Sequence, residues 1–185
     1  MHIGLLPIFS GRPTEDCLQF MKQYGATLET FPVMARQAVL TREQLHLRCF
    51  QYCLKDGAMM LYMNLRSGSL TTWSQVCKVF FNKFFPAQKT KDLRLKIASF
   101  YEEEGEPLHE VWERFNLLLA QVPPHTYPSE LKVNFFYSGL SSITQMLVDN
   151  ACGGTIADKR ATEAFDILDK IAQNSQQRTS NVRKG

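Results

Sequence analysis

The chain has 185 residues, of which 44% are hydrophobic and 21% charged, and a formal net charge of +3. That balance excludes a disordered or fibrous chain, and the length suits one ordinary domain or two small ones. Residues 1–88 hold nine Lys/Arg against five Asp/Glu, and residues 89–185 hold twelve against thirteen, so neither half is basic enough to predict nucleic-acid binding by itself.

The first stretch, MHIGLLPIFSG, lacks a basic n-region and is interrupted by Pro7, so it is not read as a signal peptide. Pro13 and Thr14 open a first helix, about residues 14–26, with Leu18 and Met21 on its apolar side. Thr41 followed by Gln44 is a capping-box pattern that opens a second helix near 41–54. Asp56 begins a third, DGAMMLYMNL, which ends before Ser67-Gly68-Ser69. Within it Met59, Met60, Tyr62 and Met63 have two readings: core, the default for a mid-helix apolar run, or a flexible groove for partner peptides.

Thr72 then caps the run TTWSQVCKVFFNKFFP, and Pro86 stops it. On a helical wheel Val76, Cys77, Phe80 and Phe84 cluster near Trp73, with Phe81 and Phe85 on one flank and Gln75, Lys78 and Asn82 opposite. The apolar arc spans about 180°, wider than the ~100° stripe of a surface helix. Most of it is expected to be core; the flank with Phe81 and Phe85 is a candidate contact with a second element or subunit. The polar link AQKT follows, and then Leu93, Ile97 and Phe100 recur at helical spacing.

Acidic EEEGE breaks that helix, and Pro107 opens the next, with Leu108, Val111, Trp112, Phe115, Leu118, Leu119 and Val122 apolar and Pro123-Pro124 as its stop. Three shorter helices follow, roughly 129–139, 142–150 and 161–174, separated by Ser138-Gly139 and by Cys152-Gly153-Gly154-Thr155. Residues 176–185 are polar and read as a disordered tail. The fold class is therefore all-α, in two helical lobes, 1–88 and 89–175, divided near Pro86–Thr90.

Catalytic and metal signatures are missing. His2, His46, His109 and His125 show no HExxH spacing. Cys49 and Cys53 lack a second ligand pair, and Gly153-Gly154-Thr155 is no phosphate loop. Glu102, Glu103, Glu104 and Glu106 read as a solvated loop before a helix, where negative charge is favoured. No cofactor, metal or enzymatic activity is expected. The five cysteines, odd in number and set among apolar residues, fit reduced thiols in an intracellular, cytoplasmic protein. No apolar run approaches the ~20 residues of a membrane span.

An ordered set of short motifs carries a resemblance. It comprises Phe9-x-Gly11-x-Pro13-x-Glu15-Asp16, Leu47-Arg48-x-Phe50, Leu54-x-Asp56-x-Ala58, Gly68-Ser69-Leu70-Thr71-Thr72-Trp73, Phe84-Phe85-Pro86, Lys89-Thr90-x-x-Leu93-Arg94, Glu106-Pro107-Leu108, Trp112-Glu113-Arg114-Phe115, Phe136-Tyr137-x-Gly139-Leu140 and Gly153-Gly154. In this order and spacing they resemble the gag polyprotein of plant gypsy-type LTR retrotransposons, over residues 8–174.

The resemblance implies a capsid protein of two α-helical lobes that assembles with itself, up to a shell around the element's RNA. Glu106, Trp112, Arg114 and Phe115 are similar to the core of the retroviral major homology region, in which the Glu and Arg share a hydrogen-bonded network. Taken by spacing alone, eight helical residues span ~12 Å, so Glu106 is expected to cap the helix and Arg114 to pair with Glu110. Candidate contact residues are Trp73, Phe81 and Phe85, with Leu131, Phe135, Phe165 and Leu168 in the second lobe. Leu61 stands where the family usually has Trp, and Glu102 where it has Gln. The zinc knuckle through which full-length gag binds RNA is absent from the sequence, as are protease and reverse-transcriptase motifs. An excised capsid region and a degenerate or host-adopted copy, used as a binding module, both fit.

Overall fold

The computed structural model describes residues 6–30, 41–66, 68–124 and 126–182. Every regular element among them is helical, and the one isolated β-bridge joins Phe9 to Leu54. The chain divides into two compact units, residues 1–89 and 90–185.

Unit 1 contains α1 (Cys17–Glu29), α2 (Arg42–Phe50) with a 3-10 turn at Gln51–Cys53, α3 (Asp56–Met63) and α4 (Trp73–Phe84). The first helix begins three residues later than the Pro13-Thr14 signal suggests. Glu15 holds those residues in a turn, its carboxylate accepting the amides of Ser10 and Arg12, and Asp16 is the cap, accepting from Leu18 and Gln19. The capping box read at Thr41 with Gln44 forms, and the cap read at Thr72 is also a full box, with Gln75. Each satisfies two amides that a helix start leaves orphaned.

Phe9, Phe20, Tyr24, Phe50 and Phe80 form an aromatic core, with Phe50 edge-on to Phe80 at 4.7 Å and Phe9 stacked on Phe20 at 4.8 Å. Each such ring contributes ~1.5–3 kcal/mol by leaving water. Phe9 is sewn in by its backbone: its amide donates to the Cys53 carbonyl, and its carbonyl accepts from Lys55.

The stretch read as a polar link is helical. α5 runs Ala87–Ala98, directly after Pro86. Proline stops α4 and also suits the start of a new helix, and nothing in AQKT opposes one.

Unit 2 contains the rest of α5, α6 (Leu108–Leu119), α7 (Ser129–Ser138), α8 (Ser142–Cys152), a 3-10 turn at Ile156–Asp158 and α9 (Ala161–Val182). Val111, Trp112 and Phe115 are the buried side of α6. They meet Phe100, Phe136 and the small-residue side of α9, where Ala161, Ala164, Leu168 and Ala172 are buried. α8 ends on Gly153, whose φ of 66° is the left-handed cap expected of the Gly-Gly stop.

The expected disordered tail is helical as far as Val182. No Gly or Pro interrupts residues 161–182, and Thr179 and Ser180 bond back to carbonyls four residues earlier. Arg183, Lys184, His2 and His125 lie outside the described residues.

Candidate functional site

The most connected polar constellation lies in unit 2, at the turn before α6. Glu106 precedes the helix, so the 12 Å separation computed for two helical residues does not apply. Arg114 reaches back from α6 and grips Glu106 with two bonds, Nε to Oε1 at 2.8 Å and a terminal nitrogen to Oε2 at 2.6 Å. The same guanidinium donates to the Tyr101 carbonyl at 2.7 Å and lies 4.5 Å from the Phe100 ring centre. Glu106 Oε2 also accepts the Glu103 amide at 3.0 Å. Arg114 therefore ties residues 100–106 to α6, and the expected Glu110 pair gives way to this bidentate bond, which matches guanidinium to carboxylate geometry. Hydrogen bonding to Arg114 holds the Glu106 carboxyl below its ordinary range.

The turn is fixed from its other side as well. Glu102 accepts the Ser141 amide and the Thr144 hydroxyl, both at 2.8 Å, at the N-terminus of α8. Its own amide donates to the Gly139 carbonyl at 2.8 Å. A Cβ on Gly139 would stand 2.3 Å from the Phe100 carbonyl oxygen, so this close approach demands glycine. The acidic loop is thus structural, with Glu102 and Glu106 each bound. Trp112 adds a bond from Nε1 to Asp169 of α9 at 2.7 Å, and Tyr137 donates to Asp149 at 2.7 Å.

Of the candidate contact residues, three are corrected by burial. Phe81 and Phe85 are 6% and 7% exposed, and Leu168 is 2% exposed. Phe85 caps α4 with extended backbone, so its wheel angle never applied, and its ring packs edge-on against Phe81. Trp73 is half-buried, stacked on His46 at 4.8 Å and touching Tyr24 and Phe50. Phe135 and Phe165 are half-buried, against Tyr127 and Trp112 respectively. Leu131 is exposed.

The methionine run departs from the core default. Met60 and Met63 are 66% and 73% exposed, Met59 and Tyr62 are half-buried, and Ala58 is the buried residue of α3. One apolar surface escaped the sequence reading: Ile143, Met146 and Leu147 of α8 are all exposed. Its signal was an i, i+3, i+4 apolar set, which periodicity alone assigns to a core face.

The buried cysteines are not activated nucleophiles. The thiols of Cys17, Cys53 and Cys77 are pushed up to about 12 by burial, which keeps them protonated and inert. Cys53 donates to the Cys49 carbonyl as an ordinary helical back-bond. Among the described residues no group of three or more His, Cys, Asp and Glu could hold a metal ion, and no helix is long and apolar enough to cross a membrane. A groove of about 490 Å³ runs between α6 and α9, over Trp112, Leu117 and Ala172.

No protein-family model and no curated protein matches the chain. Among solved structures, a dARC1 capsid domain dimer is similar at 13% identity and a TM-score of 0.40, over 95% of this chain and 97% of that one. A likeness that distant carries no argument, and the reading below rests on this chain's own residues.

Proposed function

We propose that this chain is a non-catalytic structural protein of the gag capsid type, working by association with further copies of itself. The observation that carries the reading is the bidentate Glu106–Arg114 bond. The resemblance implies a network between these two residues, whereas spacing alone argues against their meeting. Other motif residues hold comparable structural posts: Glu15 and Asp16 before α1, Thr72 before α4, Pro86 between α4 and α5, and Gly139 against Phe100. Units 1–89 and 90–185 are then the N- and C-terminal capsid-like lobes. Gypsy-type plant ancestry and an intracellular setting belong to the same reading. RNA packaging belongs to the full-length gag, through a region this sequence does not contain.

Size-exclusion chromatography with light scattering, across protein and salt concentration, tests the proposal. Species heavier than the 21.2 kDa monomer are expected to grow with concentration. A monomer under every condition contradicts it. A second reading, a host-adopted module that takes partner peptides near Met59, Met60, Tyr62 and Met63, rests on the exposure of Met60 and Met63 alone and carries less. A monomer that binds apolar peptides, and loses them on Met60→Asp, would favour it.

A further inference from the structure

Asp56-Gly57 is the one place in the sequence where an aspartate or asparagine precedes glycine. In such a pair the next amide nitrogen can reach the side-chain carboxyl carbon, because glycine puts no Cβ in the way. Inside a helix that nitrogen is withheld, its N–H bonded to the carbonyl four residues earlier. Here it is not withheld. Gly57 lies in the first turn of α3, where amides lack an intrahelical partner, and Lys55 caps the helix without a side-chain bond. Ala58 donates to Ser10 and Lys55, and Met59 to Lys55, but the Gly57 amide has no hydrogen bond among the described residues. Both Asp56 and Gly57 are exposed. The Asp56 carboxylate is met by Arg12 at 3.2 Å, with side chains 59% and 69% exposed respectively, and an ion pair so open to water holds its partners weakly.

The backbone adds a second feature. Asp56 has a φ of 44°, among the described residues the one positive value outside glycine. An L-residue is strained there by the approach of its Cβ to the following carbonyl, and its D mirror image is not. We infer that Asp56-Gly57 is a site of spontaneous covalent modification in the folded chain: closure to a succinimide, reopening to isoaspartate, and inversion of part of Asp56 to the D form.

The Gly57 nitrogen attacks Cγ of the protonated Asp56 carboxyl. A C–N bond forms, a C–O bond breaks, and the amide proton leaves with the hydroxyl as water. The Cα proton of the ring, beside an imide carbonyl, is lost to water and regained on either face. Water then adds to one of the two ring carbonyls and cleaves its bond to nitrogen. Opening at Cγ restores aspartate. Opening at the main-chain carbonyl gives isoaspartate, with an extra methylene in the backbone and the carboxylate directly on Cα, where the Arg12 tie to the start of α3 is lost. No oxidant or cofactor is consumed, and the composition of the chain is unchanged. The inference does not depend on self-association.

The test keeps the full chain folded in warm neutral buffer for several weeks, beside the same chain unfolded in guanidinium chloride. Isoaspartate is read by methyl transfer from S-adenosylmethionine with an isoaspartyl methyltransferase and located by peptide mapping. D-aspartate is read by chiral analysis of the peptide containing Asp56. The folded chain is expected to accumulate isoaspartate at Asp56 and at no other aspartate, with a higher D fraction there than the unfolded chain. Gly57→Ala is expected to slow the reaction several-fold; a Cβ at Gly57 stands 3.5 Å from the Ser10 carbonyl oxygen, an ordinary contact, so the variant folds. Asp56→Glu keeps the charge but requires a larger ring, and is expected to abolish the reaction. Circular dichroism of both fresh variants should match the unaltered chain. Isoaspartate in the unfolded chain alone means that the fold protects the site, and overturns the inference. Labelling of the folded chain that survives Asp56→Glu belongs to another residue and also overturns it. An equal D fraction in the two states overturns the inversion.

Discussion

At the scale of single residues, Arg114 ties the turn before α6 in unit 2 with three converging bonds. Arg114→Ala leaves a largely buried Glu106 carboxylate, 12% exposed, without its partner, and is expected to cost about 1–3 kcal/mol. Urea unfolding measures it, and an unchanged midpoint contradicts the network. The pH dependence has a definite sign. Glu106 is held below its ordinary value of 4.5, so the bond contributes fully above that pH. Its contribution is lost as pH falls through the lowered value. The gap between Arg114→Ala and the unaltered chain should therefore narrow in acid. In unit 1, His46 stacks on Trp73, its Nδ1 is buried without a hydrogen-bond partner among the described residues, and burial lowers its pKa from 6.5. Arg42 pushes in the same direction and Glu29 opposes. The folded state resists protonation, so stability is present above pH 6.5 and declines below it. His46→Leu is expected to reduce the loss of stability between pH 7.5 and 5.5, read from urea midpoints; an identical loss contradicts the assignment.

At the scale of elements, what a helix needs locally is also what a sequence displays. Thr72 and Gln75 satisfy each other's backbone amides within four residues, and nothing distant is required. Thr72→Ala is expected to cost about 1 kcal/mol, seen as faster hydrogen exchange in the first turn of α4; unchanged exchange there contradicts the cap. Gly153, the Thr41–Gln44 box and the Thr72 cap were legible for the same reason. Other features depended on residues far away. Glu106 meets Arg114 because the turn at 101–106 is held by Gly139 and Ser141, some 35 residues onward. Phe81 and Phe85 read as a possible contact flank but are covered, and Ile143, Met146 and Leu147, to which no reading was attached, are bare. Periodicity reports that a face is apolar; which apolar face finds a partner is decided by tertiary packing. AQKT misled differently: polar residues are compatible with an exposed helix start, and Pro86 serves both as a stop and as a beginning.

At the scale of the molecule, two all-helical units have buried cores of aromatic and small residues, inert thiols and a bound acidic turn. Three exposed apolar residues stand together on one face of α8. Such a chain can act through its surfaces, and the proposed self-association would join these features. Negative-stain electron microscopy of the purified full chain at high concentration, at low and high salt, tests this most directly. Discrete oligomers or closed particles are the predicted result. Fields of single monomers at every concentration and salt would contradict the account.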